Sequence, residues 1–237
     1  MQTILVINSK GGCGKTTITT NLASYYAAKG RKTAIMDYDP QGSSMQWLKQ
    51  RSPGVTRIHG ANAAPQKGNR MRSLQMHVAN GTEHLIIDAP AGVEGLLLQE
   101  IVRRTNFIII PVAPSAIDIH ATADFVKDLL LVGRIRARNV KVAVVANRVR
   151  SSMPVYEPLE RFLTSLKMPF LTRISDSDNY ITAAEIGLGV FEMDSYDTRP
   201  EQQEFQPIIQ WLGSAPSVAA QTENKVVGIA SRRFALV

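Results

Sequence analysis

Lys10-Gly11-Gly12-Cys13-Gly14-Lys15-Thr16-Thr17 lies between the apolar run Ile4-Leu5-Val6-Ile7 and a segment, Thr17 to Lys29, in which Leu22, Ala23, Tyr26 and Ala27 are apolar. The run reads as a buried strand and the segment as a helix, so a glycine-rich loop joins one to the other. Glycine lets a backbone approach an anion closely, successive N–H groups can wrap its oxygens, and the positive end of the helix dipole points at the same place. The loop therefore reads as a phosphate cradle, with Gly11, Gly12, Cys13, Gly14, Lys15, Thr16 and Thr17 as nucleotide-binding residues. Lys15 would reach the β and γ phosphates and Thr16 would ligate Mg²⁺. The strict pattern asks for glycine where Ser9 stands. The plain alternative, a glycine-rich turn with a stray lysine, does not explain why strand and helix flank it.

Two further strands deliver carboxylates. Thr33-Ala34-Ile35-Met36 leads into Asp37-Tyr38-Asp39-Pro40-Gln41-Gly42, and alternate residues of an extended segment point the same way, so Asp37 and Asp39 can face one site. Leu85-Ile86-Ile87 leads into Asp88-Ala89-Pro90-Ala91-Gly92. On their own, the first two carboxylates read better as turn aspartates before a proline; the glycine-rich loop turns the reading toward a site.

With Lys10 ahead of two glycines and five residues before Lys15, the loop resembles the deviant Walker A loop of the ParA/MinD ATPases. The resemblance covers about residues 1–212 and is closest to the short partition and positioning members, plasmid-partition ParF-like or carboxysome-positioning McdA-like. It implies that Lys10 contacts the nucleotide held by a partner subunit, neutralising charge between the β and γ phosphates. The Asp37-Tyr38-Asp39-Pro40-Gln41-Gly42 run matches the family's DxDPQG segment, in which Asp39 positions the attacking water and Asp37 supports the Mg²⁺ region. Asp88 resembles the Walker B aspartate, holding Mg²⁺ through water, with Gly92 in a switch loop that changes shape when the γ phosphate leaves. Ala91 departs from a proline frequent in the family. Pro111-Val112-Ala113-Pro114-Ser115-Ala116-Ile117-Asp118 looks like the PVxPSxxD segment, where Asp118 either pairs with Lys10 in one nucleotide state or simply starts a helix. Asn147, at the end of the Val142–Ala146 strand, corresponds to a base contact, though it also fits an ordinary turn. The catalytic set is Lys10, Lys15 and Asp39; the metal set is Thr16, Asp37, Asp39 and Asp88; the cofactors are ATP and Mg²⁺.

Strand runs near 3–7, 32–36, 84–88, 106–111 and 140–146 alternate with helical stretches, which argues for an α/β fold, a doubly wound, mostly parallel sheet with helices on both faces. Ligands of such sheets sit at the carboxyl ends of the strands. With 237 residues, 44% hydrophobic and 20% charged, the chain suits one domain with its own core, 1–213, followed by a tail, 214–237. A single cysteine, Cys13, rules out a disulfide framework and fits a reducing cytoplasm. It also rules out an iron–sulfur function like that of the nitrogenase iron protein, which shares the loop. His59, His77, His84 and His120 lack metal-ligand spacing. The first strand starts almost at Met1, so no amino-terminal targeting signal is expected.

The net charge is +7. Arg134, Arg136, Arg138 and Lys141, then Arg148, Arg150, Arg173 and Arg199, fall in the second half, away from the glycine-rich loop. Such a distribution suits contact with phosphate backbones without base reading, and the absence of interleaved aromatics argues against single strands. For any single arginine, a solvated face is the plainer reading. The resemblance implies non-specific double-stranded DNA bound by an ATP-sandwiched homodimer, with Arg173 where related proteins carry a DNA-contacting arginine, a stimulating adaptor protein and a cytoplasmic, nucleoid-associated location; the charge distribution adds Arg148, Arg150 and Arg199 as DNA-binding residues. Two other readings stay open. Val226, Ala230, Phe234 and Val237 could form a membrane-surface stripe, as in a MinD-like division regulator, although Gly228 weakens that helix. Biosynthetic ligases of the dethiobiotin synthetase type share the loop, but no residue set for their substrate stands out.

Overall fold

The computed structural model describes residues 1–65, 77–132, 135, 139–150 and 168–214. Arg134, Arg136, Arg138 and the tail stripe from Val226 lie outside them. Seven strands form one sheet among the described residues: β1 (Gln2–Val6), β2 (Thr33–Asp37), β3 (His59–Asn62), β4 (His84–Asp88), β5 (Phe107–Val112), β6 (Lys141–Val149) and β7 (Phe170–Ser175). Their order is β3-β2-β4-β1-β5-β6-β7, and every pairing is parallel. Among the described residues six helices connect or follow them: α1 (Lys15–Ala28), α2 (Ser43–Gln50), α3 (Gly95–Arg103), α4 (Ala116–Val132), α5 (Asp178–Glu185) and α6 (Ser195–Gly213).

The period-two alternation of the first strand decides how the layers form. Leu5 and Ile7 face Leu98, Ile101 and Val102 of α3 and Phe125, Val126 and Leu129 of α4. Ile4 and Val6 face Ile18 and Leu22 of α1, Trp47 of α2, and Phe205, Ile208 and Leu212 of α6. Each such side chain contributes roughly 1.5–3 kcal/mol on burial. A strand covered on both faces reads as an unbroken apolar run, as the central strands do here. The doubly wound parallel sheet is therefore observed as expected.

Two strands were not among those expected, β3 and β7. Four residues with one buried side chain, Ala61, give β3 no period to read. Gly60 lets α2 pack closely on it: a Cβ there would lie 2.6 Å from Leu48 Cδ1, so the Leu48 side chain would have to shift. In β7 only Ile174 is fully covered. β6 runs on past Ala146 to Val149, through an irregularity in its pairing with β7 and a left-handed Arg148 at φ 57°. Asn147 therefore sits within an irregular strand rather than after it.

The sheet's topology sets the site. β2, β4, β1, β5 and β6 are neighbours, so their carboxyl ends lie side by side, and Asp37 and Asp88 are register partners as the last residues of β2 and β4.

Candidate functional site

The loop after β1 turns on two left-handed glycines, Gly12 at φ 75° and Gly14 at φ 89°, and Gly14 is the N-cap of α1. Other residues rarely adopt this conformation. At Gly14 there is a second reason, since an added Cβ would fall 1.7 Å from Asn147 Nδ2. Asn147 is buried and donates through Nδ2 to the Cys13 carbonyl at 2.8 Å, so the end of β6 is tied to the loop. Cys13 is buried as well, and burial pushes its thiol pKa up, the opposite of an activated thiolate. Lys15, also buried, donates from Nζ to the Lys10 carbonyl at 2.9 Å. Lys10 itself is half-buried.

The acidic residues converge on the start of α1. Thr16 Oγ1 donates to Asp88 Oδ2 at 2.9 Å, and Ser44 Oγ donates to the same oxygen at 2.5 Å. Asp37 accepts from the Asp39 amide at 2.9 Å and from the Met45 amide at 3.3 Å. Both carboxylates are buried, Asp37 at 0% and Asp88 at 1% exposure. Burial pushes Asp88 up to about 7, reinforced by the nearby Asp37 and opposed by the Ser44 and Thr16 hydroxyls. Asp37 is raised by the same desolvation, against the amides that hold it. Asp39 is half-buried and accepts from the Gln41 amide at 2.9 Å, which leaves its carboxylate at the edge of the site.

A magnesium ion fits this donor set. It favours oxygen ligands and is bound through one or two carboxylates plus phosphates. One hydroxyl and two buried carboxylates, raised by their own desolvation, supply that environment.

Three supports were not apparent in the sequence. Asn8, fully buried, donates to the Pro111 carbonyl at 2.7 Å and to Thr122 Oγ1 at 3.1 Å, fixing the base of the loop to β5 and α4. The Gly92 amide donates to the Ser9 carbonyl at 2.9 Å, and Gly92 has φ 66°, so the segment after Asp88 is pinned to the glycine-rich loop. Ser44 is the third. Lone serines and asparagines carry no periodic signal, and only their position beside a recognised motif singles them out.

Beside the loop, Thr17, Asn147, Arg148, Ser175, Ser177 and Tyr180 line a cleft of about 410 Å³. A larger cleft, about 780 Å³, lies at the opposite, amino-terminal edge of the sheet between Tyr26, Lys29, Arg31 and His84, and none of the sequence motifs reaches it. Asp118 closes the first turn of α4: its carboxylate accepts from Ser115 Oγ, which accepts from the Asp118 amide at 3.1 Å. That is the helix-start role in this conformation. The arginines are spread over separate elements. Arg148 and Arg150 line one open cleft, Arg150 pairs with Asp176 at 2.8 Å, Arg173 is exposed on β7, the strand at the end of the sheet order, and Arg199 is exposed on α6.

The sequence matches the model of the CobQ/CobB/MinD/ParA nucleotide binding domain over residues 4–190. The maintenance of carboxysome distribution protein A of Halothiobacillus neapolitanus is 26% identical over 196 residues, covering 81% of this chain and 87% of that protein. Among solved structures, the MinD cell division protein of Aquifex aeolicus aligns with a TM-score of 0.67 at 17% identity, covering 91% of this chain and 98% of that one. A variant of Cyanothece McdA in complex with ATP aligns with a TM-score of 0.63 at 15% identity, covering 88% and 96%. At these identities the two structures establish a common fold.

Proposed function

The chain belongs to the CobQ/CobB/MinD/ParA nucleotide-binding family, and from that premise we propose that it is an ATPase that dimerises around ATP, binds non-specific duplex DNA in that state, and positions a cargo on the nucleoid through a stimulating adaptor. The observation that carries the reading is the meeting of Thr16, Asp37 and Asp88 at the start of α1, beneath a loop bearing both Lys10 and Lys15. A single phosphate-binding lysine would serve any P-loop protein. The second lysine is what a nucleotide shared between subunits requires. The relative from Halothiobacillus neapolitanus, whose name ties it to carboxysome distribution, makes a protein organelle the first cargo to test, ahead of a plasmid or chromosome.

In this account Lys15 exchanges the Lys10 carbonyl for phosphate oxygens, a stronger charge-assisted partner. Lys10 extends its charge toward the nucleotide of the other subunit, where negative charge develops in the transition state. Asp39, at the edge of the site, orients the attacking water. Thr16, Asp37 and Asp88 would hold a magnesium ion, which would supply charge neutralisation along the phosphates. Asn147 and the cleft beside it receive the base. Arg148, Arg150, Arg173 and Arg199 are the proposed DNA contacts. Dimerisation doubles such contacts, and because the logarithm of affinity scales with their number, ATP switches DNA binding on. Hydrolysis, kept slow until the adaptor completes the site, switches it off.

Gel shift of plain duplex DNA at moderate salt, with ATP, ADP or no nucleotide, tests this. A shift confined to ATP is expected. Equal shifts in all three lanes, or none in any, would refute it.

A further inference from the structure

The first turn of α2 touches both buried carboxylates. Ser44 is 0% exposed, and its hydroxyl donates to Asp88 Oδ2 at 2.5 Å, while the next residue, Met45, donates its amide to Asp37 Oδ2 at 3.3 Å. A serine near a helix start ordinarily serves its own helix as a cap. Here Gly42 is the N-cap without a side chain to bond, and the Ser44 hydroxyl instead crosses to the last residue of β4. A buried hydroxyl is costly unless paired, so the burial of Ser44 depends on this bond.

The bond also constrains Asp88. A lone carboxylate rotates broadly about its last torsion. Two hydroxyls, from Thr16 on α1 and Ser44 on α2, converge on one oxygen of Asp88 and hold the group in a single orientation. Thr16 belongs to the proposed metal set and must also answer to the ion. Ser44 has no such second duty, and it follows the turn that bears Asp39, in which the Gly42 amide donates to the Asp39 carbonyl at 2.9 Å.

We infer that Ser44 is a positioning residue for the magnesium site, orienting Asp88 from the first turn of α2 and thereby linking the Asp39 turn to the cation. The inference rests on the proposed nucleotide function and adds a residue to it. Groups that orient metal-binding side chains typically change metal affinity by about 10–100-fold when removed.

The test is Mg²⁺ titration of mant-ADP binding, which involves no turnover, in the wild type and Ser44→Ala, with Mn²⁺ electron paramagnetic resonance of the ADP complex as a second readout. Ser44→Ala is expected to bind Mg²⁺-free mant-ADP within about twofold of wild type and to need at least about tenfold more Mg²⁺ for half-saturation. An unchanged Mg²⁺ requirement in a folded Ser44→Ala protein overturns the inference while leaving the proposed function intact. Should Ser44→Ala not fold, Ser44→Cys, with a weaker donor of similar size, is expected to show an intermediate requirement, and a wild-type value there overturns it equally. A wild-type protein that binds no nucleotide at any Mg²⁺ concentration removes the proposed function itself, and this inference with it.

Discussion

Asp88 carries the most demanding chemistry of any single residue in the site. A carboxylate at 1% exposure, it is pushed up to about 7, chiefly by burial and then by the nearby Asp37, against the Ser44 and Thr16 hydroxyls and the Lys15 charge, which favour its ionised form. Asp39 is different: half-buried, it is held by one backbone amide and stands at the edge of the site. Asp39, given a metal role as well from the sequence, is therefore proposed for the hydrolytic step, with the buried Asp37 and Asp88 holding the metal. In Asp39→Ala, ATP binding measured by mant-ATP fluorescence is expected to stay within a few-fold of wild type, while phosphate release falls by at least about a hundredfold. Normal turnover in that variant would remove the assigned role. A second residue-scale prediction concerns His84, which stacks on Tyr26 with ring centroids 3.7 Å apart and pairs through Nδ1 with Gln2 Oε1. Burial draws its pKa down to about 4, against about 6.5 when unfolded. The unfolded chain thus binds the proton more readily, and stability that is full above about pH 6.5 is lost as pH falls toward 4, about 2 kcal/mol of it between pH 7 and pH 5. Urea unfolding at pH 7 and pH 5 should show this loss in the wild type and a smaller one in His84→Gln; equal losses would contradict it. The glycine-rich loop and the three aspartates were legible in the sequence because their spacing is itself the signal. Ser44 and Asn8 were not, because each acts through a single hydrogen-bonded neighbour that only the fold supplies.

At the scale of elements, α2 ties the site to the segment after α5 on the same face of the sheet. Its first turn holds the carboxylates. Beyond its last turn, Arg51 forms a two-pronged ion pair with Glu192 at 2.7 and 2.9 Å, bonds the Gly187 carbonyl, and lies over the Trp47 ring, whose Nε1 donates to the Leu188 carbonyl. The Arg51 and Glu192 side chains are only 6% and 5% exposed. Gly187 is forced to be glycine, since it has φ 68° and a Cβ there would meet the Arg51 backbone nitrogen at 2.5 Å. Removing one partner of a buried pair leaves an uncompensated charge, which costs about 3–5 kcal/mol. Arg51→Met should accordingly lower the melting temperature by roughly 10 °C or more, as calorimetry can check, and a change of a degree or two would show that the pair adds little. The long central strands were legible because strands buried on both faces leave unbroken apolar runs. β3 and β7 were missed because each has only one fully buried side chain, Ala61 and Ile174, so neither has a period to detect. The extension of β6 through Asn147 and Arg148 was hidden by its irregular pairing with β7.

For the whole molecule, the parallel sheet gathers the functional groups at one edge. Asp37, Asp88, the glycine-rich loop and Asn147 come from four neighbouring strands, β2, β4, β1 and β6 with β5 between the last two. No helix of the described residues is long and apolar enough to cross a membrane. In the proposed reading, Lys10 acts there when a second subunit presents its own nucleotide to it. Light scattering behind size exclusion tests this most directly, on the wild type, Asp39→Ala and Lys10→Ala, each with ATP, ADP or no nucleotide. The account predicts that Asp39→Ala with ATP doubles from the 26.0 kDa of one chain, that the wild type does so transiently, and that Lys10→Ala stays single with every nucleotide. A single-chain mass for Asp39→Ala in saturating ATP and Mg²⁺, or an ATP dimer that forms equally well without the Lys10 ammonium, would contradict it.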